Sequence, residues 1–76
     1  MERGMLWFDN DPKTGLIAKI SQAANYYQKK YGIAPNLCFV HPSMLPNQPA
    51  QEGRITIRPY RSVLPGHLWI GLADKN

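Results

Sequence analysis

Two aspartates, Asp9 and Asp11, close the first apolar run of this 76-residue chain, and His41 closes the second. Carboxylates and imidazole are the groups that hold a divalent cation or move a proton. If the two runs are parallel neighbouring strands, all three side chains gather at the carboxyl edge of a sheet, where open α/β folds bind ligands. Lys13 stands close by, and a helix starting there adds the positive end of its dipole, suited to an anion. Asp9, Asp11 and His41 are therefore a candidate anion or metal site, of the kind a metal-assisted phosphoester hydrolase uses. The same residues also have plainer structural uses. Asp11 can cap the helix, Asp9 can shape the turn, and His41 can end a strand before Pro42.

A second candidate lies further along. Arg54, Thr56, Arg58 and Tyr60 alternate with apolar residues, and Arg61 follows. Arginines interleaved with an aromatic ring on an exposed strand can grip phosphates and stack on bases. Charge on an edge strand also guards against aggregation, so the pattern fits a solvated edge as well. The net charge of +4 suits a polyanionic partner and, equally, simple solubility.

Other chemistry finds little footing. Cys38 sits mid-strand between apolar neighbours with no base near it in sequence, which reads as a core thiol. One cysteine cannot form an internal disulfide, and one cysteine with two histidines cannot build a zinc framework. Glycine-rich nucleotide loops and nucleophile-elbow serines are absent, and no cofactor is expected. The spacing Phe8-Asp9-Asn10-Asp11 resembles the Asp-x-Asp motif of haloacid-dehalogenase-type phosphatases. Where that family carries Thr or Val two places after the second Asp, this chain has Lys13, so the resemblance is not carried further.

The elements that must position these residues can be read from periodicity. Residues 4–8 form an apolar strand closed by turn formers. Over residues 12–31 the period changes: Leu16, Ile20, Ala23, Ala24, Tyr27 and Tyr31 make one apolar stripe, while Lys19 and Gln22 fall on the wet side. Asp11 or Thr14 can cap this helix. Lys29 and Lys30 suit its negative end, Gly32 can take the left-handed stop, and Pro35 forbids continuation. Residues 36–41 are a second apolar strand, 42–53 a proline-rich loop with one helical turn near Ser43, and 54–58 a half-exposed strand. Residues 64–67 compose a type II turn, residues 67–73 a further apolar strand, and 74–76 a polar tail.

This order predicts a small α+β (α/β) single domain over residues 1–76. Its pattern is β-α-β-β-β: a four-stranded mixed sheet with one helix packed on one face. The first two strands are parallel and the last two form an antiparallel hairpin. Three of the four strands are apolar on both faces, yet one helix covers only one. With Leu6, Phe8, Cys38 and Val40 under the helix, Met5, Trp7, Leu37 and Phe39 would lie bare, together with either Trp69 or its neighbours Leu68 and Ile70. Burying each such side chain contributes roughly 1.5–3 kcal/mol, a large share of the ~5 kcal/mol a domain this size can expect. Domains below ~80 residues usually need a staple, and oligomerisation is the one left by elimination. The competing cover is the 42–53 loop folding back through Met44 and Leu45.

The resulting expectation is a non-enzymatic interaction module, a homodimer through its sheet face or edge, with Met5, Trp7, Leu37, Phe39 and Trp69 at the interface. Nucleic-acid binding through Arg54, Arg58, Tyr60 and Arg61 is the alternative, and the hydrolase the third reading. No run reaches the ~18 apolar residues of a membrane span. A lone thiol and the lack of a secretory h-region point to the cytoplasm.

Overall fold

The computed structural model describes residues 3–73. It is a small α+β fold: one helix lies on one face of a mixed five-stranded sheet. The elements are β1 (Arg3–Phe8), α1 (Leu16–Tyr31), β2 (Leu37–Val40), a 3-10 turn (Pro42–Met44), β3 (Gln51–Glu52), β4 (Ile55–Pro59) and β5 (His67–Leu72). The expected polar tail, 74–76, lies outside the described residues.

The sheet order is β1-β5-β2-β4-β3, which corrects the expected topology in two ways. First, there are five strands rather than four. Gln51 and Glu52, expected in the loop, pair antiparallel with Thr56 and Ile55. Gly53, at φ 57°, takes the left-handed conformation that so short a reversal needs. Second, the last two strands do not form a hairpin. β2 lies between them, parallel to β4 and antiparallel to β5. Likewise β1 and β2 run the same way but are not neighbours, because β5 inserts between them and pairs antiparallel with both. Burial accounts for the inner places of β5 and β2, whose helix-side residues Leu68, Ile70, Cys38 and Val40 are 2% exposed or less. β1, apolar as well, takes an edge, and β4 lies between β2 and the short β3.

The core lies between α1 and the sheet. Ile20, Cys38, Val40 and Ile70 are fully buried there, with Leu16, Ala23, Tyr27, Ile57 and Leu68 around them. Met5 and Trp7 pack against this cluster, and Tyr26 stacks on Trp7 with ring centroids 5.3 Å apart. The side of β1 is therefore the reverse of that expected: Met5 and Trp7 face the helix, and Leu6 and Phe8 face away. Gly4 gives the steric reason. The Trp69 indole occupies the space over Gly4, where a Cβ would stand 2.3 Å from Trp69 Cζ2. Trp69 thus shares the outer side with Gly4, Leu6 and Phe8.

The helix also begins later than its sequence suggests, at Leu16 rather than residue 12, with Gly15 as a cap that lends no side chain. Its end follows expectation: Gly32 adopts φ 74° and its N–H donates to the Gln28 carbonyl at 2.8 Å. Lys19, expected on the wet side, is only 7% exposed. Its ammonium donates to the Asp9 carbonyl at 2.9 Å, tying the β1–α1 connection to the helix. Tyr31 stays about half exposed while stacking on Tyr27 at 4.6 Å.

Candidate functional site

Asp9, Asp11 and His41 are each engaged locally. Asp9 Oδ1 accepts from the Asp11 N–H at 3.0 Å and lies 4.0 Å from the Lys19 ammonium. Asp11 Oδ1 accepts from the Lys13 N–H at 2.9 Å, and its Oδ2 accepts from the Thr14 hydroxyl at 3.1 Å. The Lys13 N–H bond, then the Thr14 bond, hold the Asp11 carboxyl below its ordinary value. So Asp11 caps a turn ahead of the helix rather than the helix itself. His41 Nδ1 accepts from the Ser43 N–H at 3.1 Å and starts the 3-10 turn. With β5 between β1 and β2, His41 is not on a strand adjoining Asp9. Among the described residues, no group of three or more His, Cys, Asp or Glu could hold a metal ion.

The sheet face turned away from α1 collects more. Cross-strand pairing puts Leu6, Trp69, Phe39 and Arg58 in one row across β1, β5, β2 and β4. The Phe39 and Trp69 rings lie 5.4 Å apart, and Tyr60, just past β4, reaches Phe39 at 5.2 Å. Phe8 stacks on His67 at 4.7 Å. Leu6 is 62% exposed, Phe8 59% and Tyr60 52%, whereas Leu37, on the same side, is buried. Met44 and Leu45, the residues expected to cover this face, pack against the helix-side core instead.

The residues singled out by sequence therefore regroup. Leu37, Phe39 and Trp69 share the outer face; Met5 and Trp7 do not. Arg58 and Tyr60 join the aromatic row, and Arg61 lines a shallow groove beside Tyr60 with Pro42, Pro59 and Ser62. Arg54 sits apart, in a surface hollow with Ser21, Asn25 and Glu52 near the helix. Sequence reasoning missed Gly4, Leu6 and Phe8 as members of this face. A glycine at the head of an aromatic strand was the signal for a large ring lying over it.

Cys38 is buried and free, and loss of solvation pushes its thiol up to about 12, which leaves it protonated and unreactive. No helix among the described residues is long and apolar enough to cross a membrane. Comparison with protein-family models, curated proteins and solved structures gave no match.

Proposed function

We propose that this chain is a non-enzymatic binding module that works as a homodimer, two copies joining along the outer edge of β1. The observation that carries this reading is the contrast between the two sheet edges. At one end, β3 has two residues and β4 runs into Pro59, so little ladder is offered. At the other, β1 offers six residues with no proline, and no described strand pairs with its outer side. Such an edge is a template for another chain. Leu6 and Phe8, both more than half exposed, would gain cover there.

A two-fold antiparallel pairing is self-complementary. Centred on Leu6, it sets Leu6 against its own copy and Gly4 against Phe8, with no like charges opposed. The hydrolase reading has less support, since Asp9, Asp11 and His41 are committed to turns and to Lys19. A buried thiol that no fold-bearing disulfide uses suits the reducing cytoplasm.

Light scattering coupled to gel filtration at tens of micromolar tests the proposal. The expected mass is twice the 8.6 kDa of one chain. Leu6→Lys should return it to the monomer, because it sets two ammonium groups against each other across the two-fold axis. A monomeric mass for the unaltered chain, or a dimer indifferent to Leu6→Lys, refutes edge pairing.

A further inference from the structure

We infer that the outer sheet face, around Phe39, Trp69, Tyr60 and Arg58, binds single-stranded nucleic acid. This surface is separate from the β1 edge and does not depend on its pairing. Three observations meet here. The first is the ring series. Trp69 and Phe39 stand on the adjacent central strands β5 and β2 as direct cross-strand partners, and Tyr60 extends the contact to a third ring. Aromatic side chains fixed on a sheet are what unstacked bases pack against. The backing of these rings is firm, since their strand neighbours Cys38, Val40 and Ile70 are fully buried in the core.

The second is charge. Arg58 lies directly opposite Phe39 on β4, and Arg61 follows Tyr60. A guanidinium beside the rings can hold the phosphate that links two stacked bases, and can itself stack. The third is the placement of the carboxylates. Among the described residues, Asp9 and Asp11 are held in the β1–α1 connection, and Glu52 pairs across from Ile55, which faces the helix. Every strand position facing the same way as Phe39 lacks a carboxylate. Among the described residues, the face is thus aromatic and cationic with no carboxylate of its own.

That combination selects among occupants. A second copy packed face to face would bring Arg58 against a surface whose described residues offer no carboxylate to receive it, leaving a guanidinium desolvated among rings. A polyanion supplies the missing charge. A duplex hides its bases and offers only phosphates to a sheet surface, whereas a single strand can lay its bases on the rings.

Fluorescence anisotropy with labelled oligo-dT and oligo-rU of about ten nucleotides, in low salt, is the direct test. Saturable binding to at least one of them is expected, weaker at higher salt, with a duplex of the same length bound less tightly. Tyr60→Ala and Phe39→Ala should each weaken binding about tenfold. Arg58→Ala should weaken it several-fold and lower the salt slope by about one, while Arg54→Ala, away from the face, leaves it near the unaltered value. Phe39 is half-buried, so circular dichroism must show each variant folded; exposed Tyr60 carries the test if Phe39→Ala is not. A preference for oligo-rU over oligo-dT would assign RNA, the reverse DNA. No saturable binding to either oligonucleotide, equal binding of the duplex, or indifference to Tyr60→Ala and Arg58→Ala overturns the inference. So does a dimer that Tyr60→Ala dissociates. The unaltered chain separates the two proposals: a monomeric mass together with oligonucleotide binding that Tyr60→Ala weakens sinks edge pairing and leaves this inference standing, while a dimer that binds neither oligonucleotide does the reverse.

Discussion

Gly4→Ala is the sharpest probe of how the outer face is built. Gly4 pairs with Gly71 in the β1–β5 ladder, and the Trp69 indole fills the space above it. A Cβ placed there would stand 2.3 Å and 2.5 Å from two indole carbons and 2.6 Å from the Ile70 carbonyl oxygen. Ordinary carbon contacts need ~3.5–4 Å, so the ring must withdraw by about 1 Å and the ladder must also give. Overpacking of this kind costs ~1–3 kcal/mol. Alanine recovers ~0.4–1 kcal/mol by restricting the unfolded chain. The balance is a net loss of ~1–2 kcal/mol. For a domain of this size each kcal/mol moves Tm by ~4–8 °C, so thermal melts followed by circular dichroism should fall by roughly 5–15 °C.

A double-mutant cycle with Trp69→Leu separates the ring from the ladder. With the indole gone, Gly4→Ala should cost about 1 kcal/mol less, and the remainder reports the Ile70 carbonyl contact. The displaced indole should also shift the tryptophan emission of Gly4→Ala. Equal costs in the two backgrounds, or a Gly4→Ala variant as stable as the unaltered chain, would refute the view that Trp69 fixes the side of β1.

Two further perturbations address the helix side. Lys19→Met keeps the aliphatic stem but removes the ammonium that donates to the Asp9 carbonyl, and should cost about 1–3 kcal/mol, read as a lower urea midpoint; an unchanged midpoint would show the tie to be idle. Cys38, buried with its thiol raised to about 12, should resist thiol reagents at pH 8 in native buffer and react once urea unfolds the chain; rapid native labelling would contradict its burial.

How much could be read beforehand depended on whether the deciding interaction was local. The stripe of α1 and its stop at Gly32 were legible because helical period, terminal lysines and a left-handed glycine act within a few residues. Its start was not, since Asp11 and Thr14 are both good caps, and here they bond to each other instead. Four of the five strands declared themselves; the two-residue β3 did not, and neither did the strand order. Nothing within 54–58 or 67–73 reveals that β2 lies between them; that follows from the burial of Cys38, Val40, Leu68 and Ile70 together beneath the helix. The side of β1 was illegible for the reason that makes it apolar throughout: with no polar alternation, either side fits the core, and contacts distant in sequence, Trp69 over Gly4 and Tyr26 against Trp7, break the tie. The candidate site shows the same division. Leu37, Phe39 and Trp69 were recognisable as apolar, and Arg58 and Tyr60 as a basic aromatic pair. Their meeting depended on the parallel register that sets Phe39 against Arg58.

That register also bears on whether one chain can serve two partners. In an antiparallel pair, residues directly opposite each other point to the same side of the sheet. Two copies joined along β1, with Leu6 against Leu6, would therefore carry both of their Phe39–Trp69–Tyr60 series on one continuous surface. Edge pairing leaves the aromatic face free and doubles it, while face-to-face association would bury the same rings and strand Arg58. A longer single strand that reached across the joined edge would engage both halves, its second contact favoured by proximity to the first. The two proposals are thus sterically compatible, and the alternative that would make them exclusive is the one disfavoured by the charge on the face.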